Sequence, residues 1–181
     1  NAVTDNPLLF PADGDVISAG NFHGQPLSQA LDFLAIPMSE LGSISERRLE
    51  QMVNPDLSNL LPFLVEGSGL NSGLMIAQVV AAALASKNKI FSHPASVDSI
   101  PTSANKEDHV SMGVTAALKD CTVFENLQHL LSIDLLAGRL ALDYHRPVKA
   151  GKLVEAAADV LRKHVKPLKQ DRVLHEDFAT I

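Results

Sequence analysis

A single cysteine, Cys121, stands in the 181 residues, so no internal disulfide can staple this chain. Carboxylates at Asp120 and Glu125 speak against a nucleophilic thiol, and the expectation is a buried structural one. Positive charge is also scarce. Fifteen Lys and Arg against 21 Asp and Glu leave a formal net charge of −6, with seven histidines uncounted. A nucleic-acid partner demands a basic face, so that class is excluded. The one basic cluster, Arg146 through Arg172, is interleaved with Glu155, Asp159 and Asp171 and reads as the solvated side of a helix. No two histidines show His-x-x-x-His spacing. The carboxylate–histidine cluster Glu107-Asp108-His109 is consecutive, and on a helix its members point about 100° apart, so no metal site is expected. Gly67-Ser68-Gly69 fits neither a Gly-x-Ser-x-Gly nucleophile elbow nor a phosphate loop ending in Gly-Lys-Ser/Thr, which leaves a hinge. No apolar run reaches the roughly 20 residues that span a bilayer, so no membrane partner is expected.

What is present is apolar periodicity. Residues 1–24 read as a loop-rich lead-in, with Asn6-Pro7, Pro11 and Asp13-Gly14 and one short strand pair near Leu8–Phe10 and Val16–Ser18. Four helices are predicted over 25–54, 71–88, 108–145 and 151–166. In the first, Pro26 suits the opening turn, and Leu27, Ala30, Leu31, Leu34, Met38, Leu41 and Ile44 recur at helical spacing. Pro37 inside it predicts a kink. In the second, Leu74 to Ala85 is apolar on every side except at Gln78, and such a helix must be buried all round. The third carries Val114, Leu118, Phe124, Leu127, Leu131, Leu135 and Leu142 along roughly 45–50 Å. The class is all-α: a long-helix bundle with an irregular N-terminal loop region. So few residues cannot cover such helices, which predicts a symmetric homo-oligomer sharing a helix bundle. The chain opens at Asn1, inside turn-rich sequence without a signal-peptide block, so residues 1–181 are expected to be one helical unit of a longer chain.

Between the second and third helices lies Ser92–Gly113, polar, proline-punctuated and free of glycine until its end. Loops pinned between rigid helices are where polar side chains are aimed at ligands. Glu107 is expected at or just before the start of the third helix, where a carboxylate serves equally as a helix cap or as a ligand contact. For Asp98 and Asn105 capping or turn formation is favoured. Before the first helix, Phe22 is a core anchor or the wall of a pocket for a planar substrate, and His23 is a turn residue. Local sequence leaves these alternatives open.

Taken in order, Asn-Ala-Val-Thr-Asp-Asn-Pro (1–7), Gly-Asn-Phe-His-Gly-Gln-Pro (20–26), Ser-Glu-Arg-Arg (45–48), Pro-Phe-Leu-Val (62–65), Gly-Leu-Asn-Ser-Gly (69–73) and the 92–113 loop resemble the C-terminal half of histidine ammonia-lyases. The likeness covers residue 1 to about Leu142 and weakens in the basic tail. It implies the large ammonia-lyase helical fold, a cytoplasmic homotetramer with shared active sites, and elimination of ammonia from L-histidine to trans-urocanate. It further implies a methylidene-imidazolone electrophile, formed elsewhere by cyclisation of Ala-Ser-Gly. Phe22 matches the family's substrate-pocket phenylalanine, and Glu107 the catalytic, substrate-binding carboxylate that contacts imidazole. This chain contains no Ala-Ser-Gly, and its one tyrosine, Tyr144, does not match the catalytic one. The chain alone is therefore expected to be inactive. Two other readings stand beside this one: a non-catalytic helical oligomerisation module, and a related aromatic amino acid lyase or aminomutase. Glu107 disfavours the latter, because a carboxylate facing a phenyl ring would be desolvated without a partner.

Overall fold

The computed structural model describes residues 5–20 and 22–181; Asn1–Thr4 and Asn21, which belong to two of the motifs above, lie outside the described residues. Two three-residue strands, β1 (Leu8–Phe10) and β2 (Asp15–Ile17), pair antiparallel with Leu8 opposite Ile17. Everything else is helix and loop: α1 (Gln25–Val53), α2 (Pro55–Ser58), α3 (Met75–Phe91), α4 (Gly113–Tyr144), α5 (Lys152–His164) and α6 (His175–Thr180). None of these helices is long and apolar enough to cross a membrane. Helix α1 runs unbroken through Pro37.

Cross-links order the three long helices. Asp32 meets Lys119, Ser45 donates to Asp134 at 2.8 Å, and the Arg48 Nε donates to Asp134 at 3.0 Å, so α1 and α4 run parallel. Ser92 reaches the Ala35 carbonyl while Gln78 reaches Glu46, so α3 runs antiparallel to α1. Gly42 permits the close approach of α1 to α4: a methyl there would stand 2.9 Å from a Leu130 δ-methyl. The hydrophobic core gathers at one end, where Leu49, Val53, Leu64, Leu74, Leu130, Ile133, Leu136 and Leu140 are buried together. Toward the other end the inner faces turn small and polar. Ser28, Asp32, Ser39, Asn88, Asp120 and Asn126 are all buried, and Asn126 donates to Asn88, which donates to the Val123 carbonyl.

The amphipathicity of α1 is turned inside out. Its buried residues are mostly Ser, Asp, Gly, Ala and Glu, whereas Leu27, Phe33, Leu34, Ile36, Leu41 and Ile44 face outward. Helix α3 behaves similarly: Ala77, Ala81, Ala85 and Asn88 are buried, while Ile76, Val79, Val80 and Ile90 are exposed. The expected all-round burial is thus half supplied within this chain. Cys121 corrects the expectation of a buried thiol: it is exposed, on the face of α4 that also shows Leu118 and Phe124 outward. Apolar surface this extensive exceeds what a solvated exterior ordinarily carries.

The helix predicted from 71 begins at Met75, because Gly73 adopts φ +52 and the Ser72 and Gly73 amides donate to Asp171. The arginines of the basic tail are paired with neighbouring carboxylates. Arg146 grips Glu155 at 2.7 Å and, with the Ala150 amide, holds that carboxyl down at about 2. Arg162 bridges Asp143 and Asp159, and Arg172 bonds Asp177.

Asp120 is the least satisfied group of the polar end. Both oxygens are buried without a hydrogen-bond partner among the described residues, and burial raises its carboxyl pKa, with Lys119 opposing and Asp32 reinforcing the shift. A raised folded-state value means the ionised form is disfavoured by folding, so the cost grows as pH rises above the unfolded carboxylate range. Asp120→Asn is therefore expected to stabilise the fold by about 1 kcal/mol at about pH 7, with the gain shrinking toward about pH 4. Thermal unfolding of parent and variant at both pH values checks it; equal midpoints at the higher pH would contradict it.

Candidate active site

The loop between α3 and α4 is built as a ladder. At its root, the Asp32 carboxylate on α1 accepts the Ala95 amide at 3.0 Å and the Ser96 amide at 2.7 Å. Lys119 on α4 donates to the same carboxylate and, at 2.6 Å, to the His93 carbonyl. One rung higher, the Val110 amide donates to the Ser99 hydroxyl at 2.9 Å. Above that, Thr102 and Glu107 exchange backbone hydrogen bonds of 3.0 and 3.3 Å. The tip, Ser103-Ala104-Asn105, has three successive non-glycine residues at φ 53, 55 and 65. Each left-handed residue costs about 1 kcal/mol, so such a tip persists only where its flanks are held.

That ladder corrects the expected position of Glu107. Helix α4 starts at Gly113, after Met112 in the left-handed region (φ 56), so Glu107 lies six residues before it and caps nothing. Residues 107–110 cannot join the helix because their backbone is engaged with Thr102 and Ser99. The Glu107 side chain is exposed and makes no hydrogen bond or ion pair among the described residues. The helix-capping reading of this carboxylate is thereby set aside. Asp98 lies 3.9 Å from His93 Nε2, and Asn105 sits in the left-handed tip.

Phe22, with 56% of its surface exposed, is not a core anchor. Its neighbour His23 ties this junction to the loop. Nε2 lies 2.9 Å from the His109 carbonyl and Nδ1 accepts the Gln25 amide at 3.3 Å. A carbonyl accepts only, so the proton sits on Nε2. The His23 and His109 rings stack with centroids 5.4 Å apart. Gln25 adds a bond to the Ser96 carbonyl. The segments carrying Phe22 and Glu107, 85 positions apart in sequence, are thereby fastened at one end of the α1–α4 pair.

Phe22 and Glu107 are both exposed at this edge; an apolar groove of about 960 Å³ between α1, α4 and α5 lies at the far end near Arg48, Asp134 and Leu161. Among the described residues no group of three or more His, Cys, Asp or Glu is arranged to hold a metal ion. An exposed phenyl ring and an unpaired carboxylate on a fixed loop can form one wall of a pocket for a planar, hydrogen-bonding ligand.

Sequence reasoning missed Asp32, Lys119 and the His23–His109 stack. A charged residue between Leu31 and Phe33 with no partner one turn away was the available signal for Asp32. Nothing local pairs it with a lysine 87 positions on.

The family profile described as aromatic amino acid lyase matches residues 1–163. A histidine ammonia-lyase of Anaeromyxobacter sp. (strain K) is 56% identical over all 181 residues, which make up 36% of its length. The crystal structure of a histidine ammonia-lyase from Trypanosoma cruzi superposes with a TM-score of 0.92 at 50% identity, over 98% of this chain and 35% of that one. Phenylalanine aminomutase of Pantoea agglomerans superposes almost as well, at 0.91, but with 31% identity over the same share of this chain. The chain thus spans about a third of the length of the relatives it matches.

Proposed function

The chain belongs to the aromatic amino acid lyase family, and from that premise we propose that it is the C-terminal part of a histidine ammonia-lyase. The whole protein eliminates ammonia from L-histidine to give trans-urocanate, as a cytoplasmic homotetramer. The single observation that carries this is Glu107: a carboxylate without a partner among the described residues, displayed on a loop held by successive hydrogen-bonded rungs. Against the non-catalytic module stands the 56% identity of the entire chain to a protein named as the enzyme. Against the aminomutase stands the gap between 50% and 31% identity at nearly equal backbone likeness.

Each residue of this chain has a limited task. Glu107 accepts a hydrogen bond from an imidazole N–H and stabilises positive charge on that ring, a contact that a phenyl ring cannot return. Phe22 provides a flat apolar wall, which excludes water and orients the planar substrate. The ladder and the His23 tie hold these two groups still, so that orientation is supplied before the reaction rather than during it. The resemblance adds a methylidene-imidazolone, whose chemistry is to make the substrate amine a leaving group. Its Ala-Ser-Gly precursor is not among these residues, and the exposed edge beside Phe22 fits a pocket completed by other segments.

The test is turnover by the full-length protein. Incubation with L-histidine is expected to raise near-ultraviolet absorbance as a conjugated product forms, with one ammonia released per product. Release of ammonia from tyrosine or phenylalanine in preference to histidine, or conversion of histidine to a β-amino acid, would overturn the assignment.

A further inference from the structure

The residues that carry this inference lie beneath the loop. Asp32 is 4% exposed and the Lys119 side chain 10%, so this ion pair is almost dry. Burial alone pushes the Asp32 carboxyl up, yet Lys119 and the Ser96 and Ala95 amides more than offset that and hold it well below the usual carboxylate range. A buried pair of this kind gives little net stability compared with an apolar pair, whereas breaking it leaves an uncompensated charge. Its four hydrogen bonds do something more definite. They join three elements at one point: α1 through Asp32, α4 through Lys119, and the loop root through His93, Ala95 and Ser96. From that root the Ser99–Val110 and Thr102–Glu107 rungs lead directly to Glu107.

We infer that Asp32 and Lys119 are positioning residues, which set the location of the Glu107 carboxylate from beneath without touching substrate. This rests on the role given to Glu107 above, and the two can fail separately. Misplacement of a contacting group by about 1 Å is enough to cost on the order of 100-fold in rate. Asp32→Asn keeps size and an acceptor, but loses the charge that holds Lys119 and one of the amide acceptors.

The experiment is a double-mutant cycle in the full-length protein, read by kcat/KM for L-histidine and by amide hydrogen exchange over residues 93–112. Asp32→Asn is expected to lower kcat/KM about 10- to 100-fold and to accelerate exchange in the loop. In a Glu107→Gln background the same change is expected to cost under about 3-fold, because the group it positions is already gone. Lys119→Arg is expected to retain most activity and Lys119→Met to lose it. If Asp32→Asn fails to assemble, the Lys119 pair carries the same cycle, since both of Asp32's amide bonds remain. Equal losses in both backgrounds would make Asp32 a merely structural residue and overturn the inference. Faster loop exchange with unchanged kcat/KM would overturn it as well, while leaving the function of the protein standing. Unchanged turnover in Glu107→Gln alone would instead remove the role of Glu107, and the inference with it.

Discussion

Glu107→Gln in the full-length protein is expected to lower kcat/KM for L-histidine roughly 100- to 1,000-fold, with assembly intact. The magnitude follows from where charge develops. A carboxylate fixed before the reaction stabilises a cationic ring without reorganising, and a neutral amide of the same shape keeps a hydrogen bond but not the charge. Assembly is spared because the Glu107 side chain is exposed and makes no hydrogen bond or ion pair among the described residues, and its place in the ladder is held by backbone. The loss is therefore a loss of chemistry rather than of structure. Discrimination is expected to shift in parallel, with histidine losing more than any imidazole-free aromatic amino acid. Steady-state kinetics on both substrate types, with sedimentation of the same samples, provides the check. A variant with unchanged histidine kinetics would remove the basis of the functional assignment.

Leu34→Asp is expected to abolish assembly of the full-length protein. Phe33 and Leu34 expose 73% and 51% of their surfaces in this chain, on a helix whose inner face is already filled by Asp32, Ala35 and Ser39. If sister subunits and the rest of the protein cover that outer face, an unpaired carboxylate there is buried at a cost of several kcal/mol in every subunit. The same reasoning predicts that the isolated 181-residue chain binds hydrophobic dyes and associates, whereas the full-length protein does neither beyond its native assembly. Sedimentation velocity distinguishes the outcomes. An unaltered assembly in the Leu34→Asp protein would mean that α1 presents its apolar stripe to water, against everything inferred from its inverted amphipathicity.

That inversion shows what periodicity can and cannot tell. Leu27, Leu34, Leu41 and Ile44 share a face, as their spacing requires, and helix α1 forms where they predict it. Spacing is silent on what covers the face. Here the covered side is Ser28, Asp32, Ser39 and Ser45, a pattern that by composition alone would be assigned to solvent. The same limit displaced Glu107 from a helix start to a loop rung. A left-handed Met112 and a reciprocal bond between Thr102 and Glu107 are tertiary facts, with no signature in the residues themselves. By contrast, the lead-in strands and the long helices were legible, because turn residues and apolar period are local properties. Phe22 and Glu107 became candidates together only through resemblance to a family; the His23 tie supplies the physical connection that sequence could not.

The most direct test is a structure of the full-length protein with a non-reactive imidazole analogue of histidine bound. The account predicts a Glu107 carboxylate oxygen within about 3 Å of a ring nitrogen, the Phe22 ring against the ligand, and the outer faces of α1 and α4 covered by other subunits. A ligand bound elsewhere, with Glu107 in open solvent and those faces bare, would contradict it.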